Sequence, residues 1–126
     1  MRIKLDKADV AFSRYIRLRD KKCQRCGKTG TGKDGIVGLQ ASHYFGRARE
    51  ATRFLPQNVD ALCFFCHRYW GSDNREDYRN FKIQQLGQEE FDKLTVSANT
   101  YCKRDRQGAL LYAKQLLKSL DIKHGR

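Results

Sequence analysis

The apolar residues of the first segment recur with a helical period. In residues 6–20, Phe12 and Ile16 fall on the same side as the other apolar side chains, as expected for a helix with one buried face. Asp6 stands where an N-cap is needed, and a second acid, Asp9, follows three residues later. The pattern therefore predicts a helix over 6–20.

The middle of the chain changes to a period of two. Residues 36–45 place Leu39, Ala41 and His43 on one side, which predicts a strand. We predict a short second strand over 52–55, a turn at 56–58, and a helix that begins between Cys63 and Trp70.

Helical spacing returns in the last third of the chain. It predicts a helix over 74–86 that ends before Gly87, a short helix over 88–94 and a last helix over 107–121. Each has an apolar stripe, for which core packing is the preferred interpretation.

Length and hydropathy exclude a membrane protein. The chain has 126 residues, of which 40% are hydrophobic. Its longest purely apolar run, 61–66, is far shorter than the roughly 20 residues of a membrane span. Because the first twenty residues contain no apolar stretch of the kind that a secretory signal needs, we expect an intracellular protein.

The net charge points to a polyanion. Twenty-six lysines and arginines against 14 acids give +12. Residues 1–33 and the segment from Cys102 onward are especially basic. A solvated face is the plain alternative, but small domains need only about 2–8 net charges for solubility. We therefore predict a nucleic-acid partner.

Four of the five cysteines form two C-x-x-C pairs: Cys23 with Cys26, and Cys63 with Cys66. Two such pairs are typical of a tetrahedral structural zinc site. Disulfides and a redox motif are the alternatives, and a reducing compartment disfavours the first. Cys102 lies outside the pattern and is predicted to be a semi-buried thiol.

Two histidines and an asparagine interleave with these pairs. His43 ends the predicted strand, Asn58 lies in the turn, and His67 follows Cys66 directly. A strand, strand, helix order with His, Asn and His resembles the ββα-metal (HNH) nuclease motif. The resemblance implies that His43 is the general base on water, that Asn58 ties the hairpin together, and that His67 holds a divalent cation.

Further segments extend the resemblance to most of the chain, from about Asp9 to Leu94. They are Phe12-Ser-Arg-Tyr-Ile-Arg-Leu-Arg-Asp20, Cys23-x-x-Cys26-Gly27, Ser42-His43-Tyr44, Thr52-Arg53-Phe54, Asn58-Val59, Cys63-x-x-Cys66, and Asp77-Tyr78-Arg79 followed by Leu86-Gly87. In this order they resemble the NinG/Rap family, recombination endonucleases of lambdoid phages. The family implies cleavage of branched DNA, or of junctions between single and double strands, in the cytoplasm of a bacterial host.

The catalytic cation implied by this resemblance is Mg²⁺ or Mn²⁺. Many HNH enzymes carry an Asp ligand just before the base, where this chain has Ser42. A hydroxyl is a weaker ligand than a carboxylate for a hard cation. We nevertheless assign Ser42 and His67 to this cation, with Asp60 as the nearest spare carboxylate.

Seven basic residues are predicted to contact DNA: Arg47, Arg49, Arg53, Lys21, Lys22, Arg25 and Arg68. The first three lie in or near the connection between the predicted strands. This connection must face the sugar-phosphate backbone of the DNA if His43 is to reach a phosphate. Plain surface charge is their alternative interpretation. A homodimer through the C-terminal helix is possible for a symmetric junction.

The predicted fold class is α+β. A basic N-terminal helix (1–22) comes first, and a zinc-clipped ββα-metal (HNH-like) unit over 23–97 follows it. A basic helical extension (98–126) ends the chain. We expect two or three helices after the motif and a single folded unit.

Each site residue also has a structural interpretation. His43 could be a satisfied strand histidine, His67 a neighbour of the zinc or a replacement ligand, and Asn58 an N-cap. Two other functions also stay open. One is a non-catalytic zinc module that binds nucleic acid, and the other is a sequence-specific restriction or homing nuclease of HNH type.

Overall fold

Six α-helices and one two-stranded sheet occupy residues 4–123, the part of the chain that the computed structural model describes. Their bounds are α1 Lys7–Asp20, β1 Leu39–His43, α2 Glu50–Arg53, β2 Val59–Cys63, α3 Phe64–Arg68, α4 Arg75–Leu86, α5 Gln88–Ala98 and α6 Arg106–Lys123. A 3-10 turn, Pro56–Asn58, precedes β2, and a π-turn, Tyr69–Asp73, follows α3. The predicted mixture of α and β structure is confirmed.

The first helix has the predicted capping residues. The Asp6 side chain accepts a hydrogen bond from the Asp9 backbone N–H, and the Asp9 side chain accepts one from the backbone N–H of Asp6. This reciprocal box satisfies two donors that a helix end otherwise leaves unpaired. Phe12 and Ile16 are buried against the sheet and α6, so the predicted helix is confirmed.

The second strand does not lie where the alternation predicted it. β1 pairs antiparallel with β2, from Leu39 opposite Cys63 to His43 opposite Val59. The predicted strand at 52–55 is wrong, because Thr52 and Arg53 end α2 and residues 54–55 follow as a turn. All five residues of β2 are buried, so its side chains do not alternate between core and solvent.

The later helices agree with the periodicity apart from their ends. α4 stops before Gly87, whose φ of 85° favours glycine. α5 continues to Ala98, beyond the predicted end at residue 94. The C-terminal helix α6 packs along α1, with Ala113 fully buried. Among the described residues, no helix is both long and apolar enough to cross a membrane.

A buried ion pair joins the sheet to α4. Asp60 in β2 and Lys82 in α4 are both fully buried, and their charged atoms are 3.1 Å apart. Asp60 also accepts hydrogen bonds from Tyr78 and Gln85. Burial lowers the pKa of Lys82, while the charge of Asp60 opposes this shift. Asp60 is thus fully engaged and is not a spare carboxylate, contrary to the expectation from the sequence.

Replacing Lys82 by alanine is expected to destabilise the protein by about 3–5 kcal/mol, because the Asp60 carboxylate would stay buried without its cation. The free energy of unfolding in urea measures this loss. Lys93→Ala is the matched control, since its ion pairs with Glu89 and Glu90 are exposed and contribute less than about 1 kcal/mol. Equal losses in the two variants would contradict a structural role for the buried pair.

Candidate functional site

The four paired cysteines converge on one point. Their sulfur atoms all lie within 4.8 Å of one another, and Sγ of Cys26 is 3.9 Å from Sγ of Cys63. Zn–S bonds of about 2.3 Å in a tetrahedron place sulfurs about 3.8 Å apart. A disulfide would bring two sulfurs to about 2 Å, and none of the five cysteines forms one. The cysteines are therefore positioned to bind a metal ion, as a structural zinc requires.

Local backbone structure presents the first pair. The Gly27 N–H donates to the Cys23 carbonyl and the Cys23 N–H to the Lys28 carbonyl, which closes a tight turn. Burial raises the pKa of Cys23, but hydrogen bonds from the backbone of Cys26 and Cys63 more than offset this and lower it to about 7. A thiol with that pKa readily gives the thiolate that binds metal.

The second pair joins β2 to α3. Cys63 is the last residue of the strand and Cys66 lies in the helix that follows. The exposed Arg25 donates from Nη1 to Sγ of Cys66 over 3.3 Å. The cluster therefore connects the turn after α1 with β2 and with α3, the helix that contains His67. Cys102 is exposed, so its prediction as semi-buried is wrong.

His43 has one hydrogen-bonded ring nitrogen and one free ring nitrogen. Its Nε2 lies 2.9 Å from the carbonyl oxygen of Arg53. A carbonyl only accepts, so Nε2 carries the proton and Nδ1 keeps a lone pair. Nδ1 is buried and has no hydrogen-bond partner within the described residues.

The ring of His43 is neutral at pH 7. Burial, followed by the positive charge of Arg47, lowers its pKa from 6.5 to about 4. The unused lone pair of this fixed tautomer can accept a proton from water, and a pKa of about 4 makes the ring a weaker base than a histidine with the usual pKa of 6.5. Because Nδ1 has no hydrogen-bond partner among the described residues, His43 is not the fully satisfied strand histidine of the alternative interpretation.

Asn58 closes the loop that His43 contacts. Its Oδ1 accepts from the Phe45 N–H, and its Nδ2 donates to the carbonyls of Phe45 and Thr52, all within 3.0 Å. Thr52 directly precedes Arg53, whose carbonyl fixes His43. Asn58 is fully buried and precedes a strand, so its interpretation as an N-cap is wrong.

Arg53 fixes the same loop to α1. Its guanidinium donates to both carboxylate oxygens of Asp9 at 2.9 and 2.6 Å, and both side chains are only 2% exposed. The prediction that Arg53 contacts DNA is therefore replaced by a structural role. Sequence analysis missed the Asp9 partner, because the capping position of Asp9 already explained the residue.

Arg47 lies near both histidines. Its positive charge lowers the pKa of His43 and also that of His67. Its Nε is buried without a hydrogen-bond partner, and that atom is 3.9 Å from Oδ1 of Asp9. His43 Nδ1 and Arg47 Nε are the two buried side-chain polar atoms in the described residues that lack a partner. Each of these atoms would need a further polar group to satisfy it.

His67 shows the complementary arrangement. Its Nδ1 lies 2.5 Å from Oε1 of Gln40 in β1. With this oxygen as acceptor, Nδ1 carries the proton and Nε2 keeps a lone pair, the form in which histidine binds metals. Burial and then Arg47 lower the pKa of His67. Gln40 was missed, since an exposed strand glutamine gives no signal in the sequence.

Ser42 does not share this arrangement. It is buried, and its hydroxyl accepts a hydrogen bond from Tyr78 in α4. Successive strand residues point to opposite faces, so Ser42 faces α4 rather than the face of His43. Its predicted ligand role is replaced by a structural one.

The other predicted DNA contacts lie on the surface. Arg49 donates to Asn99 Oδ1 and to the carbonyl of Ala98. Lys21 Nζ donates to the carbonyl of Asp34. Lys22, Arg25 and Arg68 are exposed.

A comparison with protein families gives one result. The family model described as Bacteriophage Lambda NinG protein matches residues 3–122. No curated protein and no solved structure matches the chain.

Proposed function

The chain belongs to the bacteriophage lambda NinG protein family, and from this premise we propose that it is a metal-dependent endonuclease that cuts branched, recombining DNA. The observation that carries the proposal is the neutral His43, with its Nδ1 lone pair unused. The strand, asparagine-closed loop, strand and helix around it resemble the ββα-metal (HNH) arrangement.

The proposed chemistry begins at His43. Nδ1 accepts a proton from a water molecule, and the resulting hydroxide oxygen attacks the phosphorus and displaces one ester oxygen. The Nε2–H bond to the Arg53 carbonyl keeps the ring in this tautomer and stabilises the imidazolium that forms. Asn58 and the Asp9–Arg53 pair hold that carbonyl in place.

A divalent cation would offset charge on the phosphate and on the leaving oxygen. His67, through Nε2, is the residue that fits it, and Gln40 orients that ring. The carboxylates of Asp9 and Asp60 are engaged by Arg53 and Lys82. Water and phosphate oxygens would therefore supply most of the remaining ligands.

Arg47 is the best candidate for a contact with the scissile phosphate. Its Nε has no hydrogen-bond partner in the described part of the chain, its charge acts on both His43 and His67, and a guanidinium binds phosphate in a fixed geometry. A net charge of +12 favours approach of the DNA as a whole.

The second candidate function is a zinc module that binds nucleic acid without cutting it. It is favoured by Ser42, which stands where many HNH enzymes have a carboxylate and is turned toward Tyr78. It predicts salt-sensitive binding and no cleavage with any metal.

Cleavage of a four-way DNA junction and of a linear duplex of the same sequence tests the proposal. Zinc-loaded protein should cut the junction when Mg²⁺ or Mn²⁺ is added, and far less without it. Binding without cleavage would support the zinc module instead. Competition from a fixed duplex sequence, rather than from a junction, would indicate a sequence-specific nuclease.

Cleavage should persist at acidic pH. The base must be neutral, and the lowered pKa of His43, about 4, keeps it so at pH 5.5. An ordinary histidine would retain about one tenth of its neutral form there. Activity should therefore fall only as the pH approaches about 4. Single-turnover rates with DNA affinity measured at each pH check this, and a loss centred near 6.5 would contradict it.

A further inference from the structure

Two consecutive phenylalanines are exposed beside the cysteine cluster. Phe64 and Phe65, between the buried Cys63 and Cys66, are 66% and 68% exposed. A large apolar side chain left in water forgoes the stabilisation that burial would give it. The two rings lie on adjoining sides of one short helix, because successive helix residues point in different directions, and exposed large apolar side chains that cluster in this way mark interaction sites.

The aromatic surface continues into an ordered stack. The ring of Phe65 is nearly parallel to that of Tyr69, at 4° and a centroid distance of 6.3 Å. The Arg25 guanidinium lies 4.2 Å from the Tyr69 ring centroid and also bonds Sγ of Cys66. The cluster of cysteines therefore holds this stack in place.

Charge indicates what the surface meets. Segments 21–33 and 61–72, which surround the cysteines, contain no aspartate or glutamate. Their exposed cations include Lys22, Arg25, Lys28 and Arg68. Exposed rings amid positive charge match the two parts of a nucleic-acid strand, whose bases stack and whose phosphates pair with cations.

We propose that Phe64 and Phe65 form a stacking surface for unpaired bases at the DNA substrate's branch point. Bases inside a duplex are covered by their neighbours, whereas unpaired bases expose their faces. Phe64 and His67 are three residues apart on α3, and such residues are neighbours on one helix face. A base held there would lie next to the proposed cation ligand. The stacking surface would thus select the unpaired part of the DNA for binding. The position of this surface beside a cleavage site rests on the proposed function.

Binding of three fluorescent DNAs tests the inference without cleavage. The probes are a single strand, a blunt duplex and a fork with unpaired arms, with no divalent cation added and no chelator, so that the cysteine site stays loaded. The double variant Phe64→Ala/Phe65→Ala should lose about 5- to 150-fold in affinity per stacked base for the single strand and the fork. Duplex affinity should stay within about twofold, since phosphate contacts dominate it.

Two controls keep the result specific. Tyr101→Ala removes another exposed ring, 88% exposed, and should change no affinity. Phe64→Leu/Phe65→Leu keeps apolar area without the rings and should lose affinity as the alanine variant does. Retained affinity in the leucine variant, or equal losses for duplex and single strand, would overturn the inference. Cleavage by the wild type is measured in a separate assay. A failure of the nuclease proposal can therefore be distinguished from a failure of the stacking proposal.

Discussion

A chain in which Cys63 is replaced by serine is expected to be unfolded at room temperature. The four sulfurs join the turn after α1 to the end of β2 and the start of α3. Structural zinc supplies apparent binding energies of about 10–16 kcal/mol, whereas small domains have about 5–15 kcal/mol of total stability. Loss of one thiolate therefore removes most of what holds these segments together.

Circular dichroism and elemental analysis measure this outcome. The wild type should contain one equivalent of zinc, and chelation should unfold it. Cys102→Ser is the matched control, because Cys102 is exposed and outside the cluster, and it should melt like the wild type. A folded, metal-free Cys63→Ser protein with an unchanged Tm would show that the cluster has no structural role.

Replacement of His43 by glutamine is expected to slow DNA cleavage by about 10²–10⁴-fold. The glutamine amide can still donate to the Arg53 carbonyl, but no basic lone pair remains at the position of Nδ1. Affinity for the junction should stay within about twofold, since His43 has little exposed surface and carries no charge at pH 7.

Single-turnover rates under saturating enzyme separate chemistry from binding in this variant. Gln84→Ala, a substitution at an exposed position of α4, is the control for effects of purification and assay, and it should cut at the wild-type rate. His67→Ala should instead raise the Mg²⁺ or Mn²⁺ concentration needed for half-maximal rate. Wild-type cleavage by His43→Gln would remove His43 from the mechanism.

Features with local causes were predictable from the sequence. Asp6 and Asp9 complete their capping box within one helical turn, and Gly87 ends α4 through its own backbone angles. The cysteine cluster was also predictable, because two C-x-x-C pairs have the spacing of a four-cysteine metal site.

Features that depend on distant partners were not predictable. β2 is buried along its whole length, so it lacks the alternation that identifies a half-buried strand. Arg53 resembled a surface cation because the Asp9 that buries it lies 44 residues earlier. Lys82 gave no sign of burial for the same reason, since Asp60 lies in a different element.

The candidate residues of the proposed site could be named from the sequence, but their protonation could not. His43, Asn58 and His67 follow from their order around the cysteines. The protonation of each ring depends on contacts with Arg53 and Gln40, which only the fold brings close.

The central claim is that His43 is a neutral base with its proton on Nε2 and a free lone pair on Nδ1. ¹⁵N-resolved NMR of the imidazole, followed through a pH titration, measures both properties directly. The account predicts a protonated Nε2, an unprotonated Nδ1 and a pKa near 4, with a higher pKa in Arg47→Met because the charge of Arg47 is removed. A proton on Nδ1, or titration near 6.5, would contradict it.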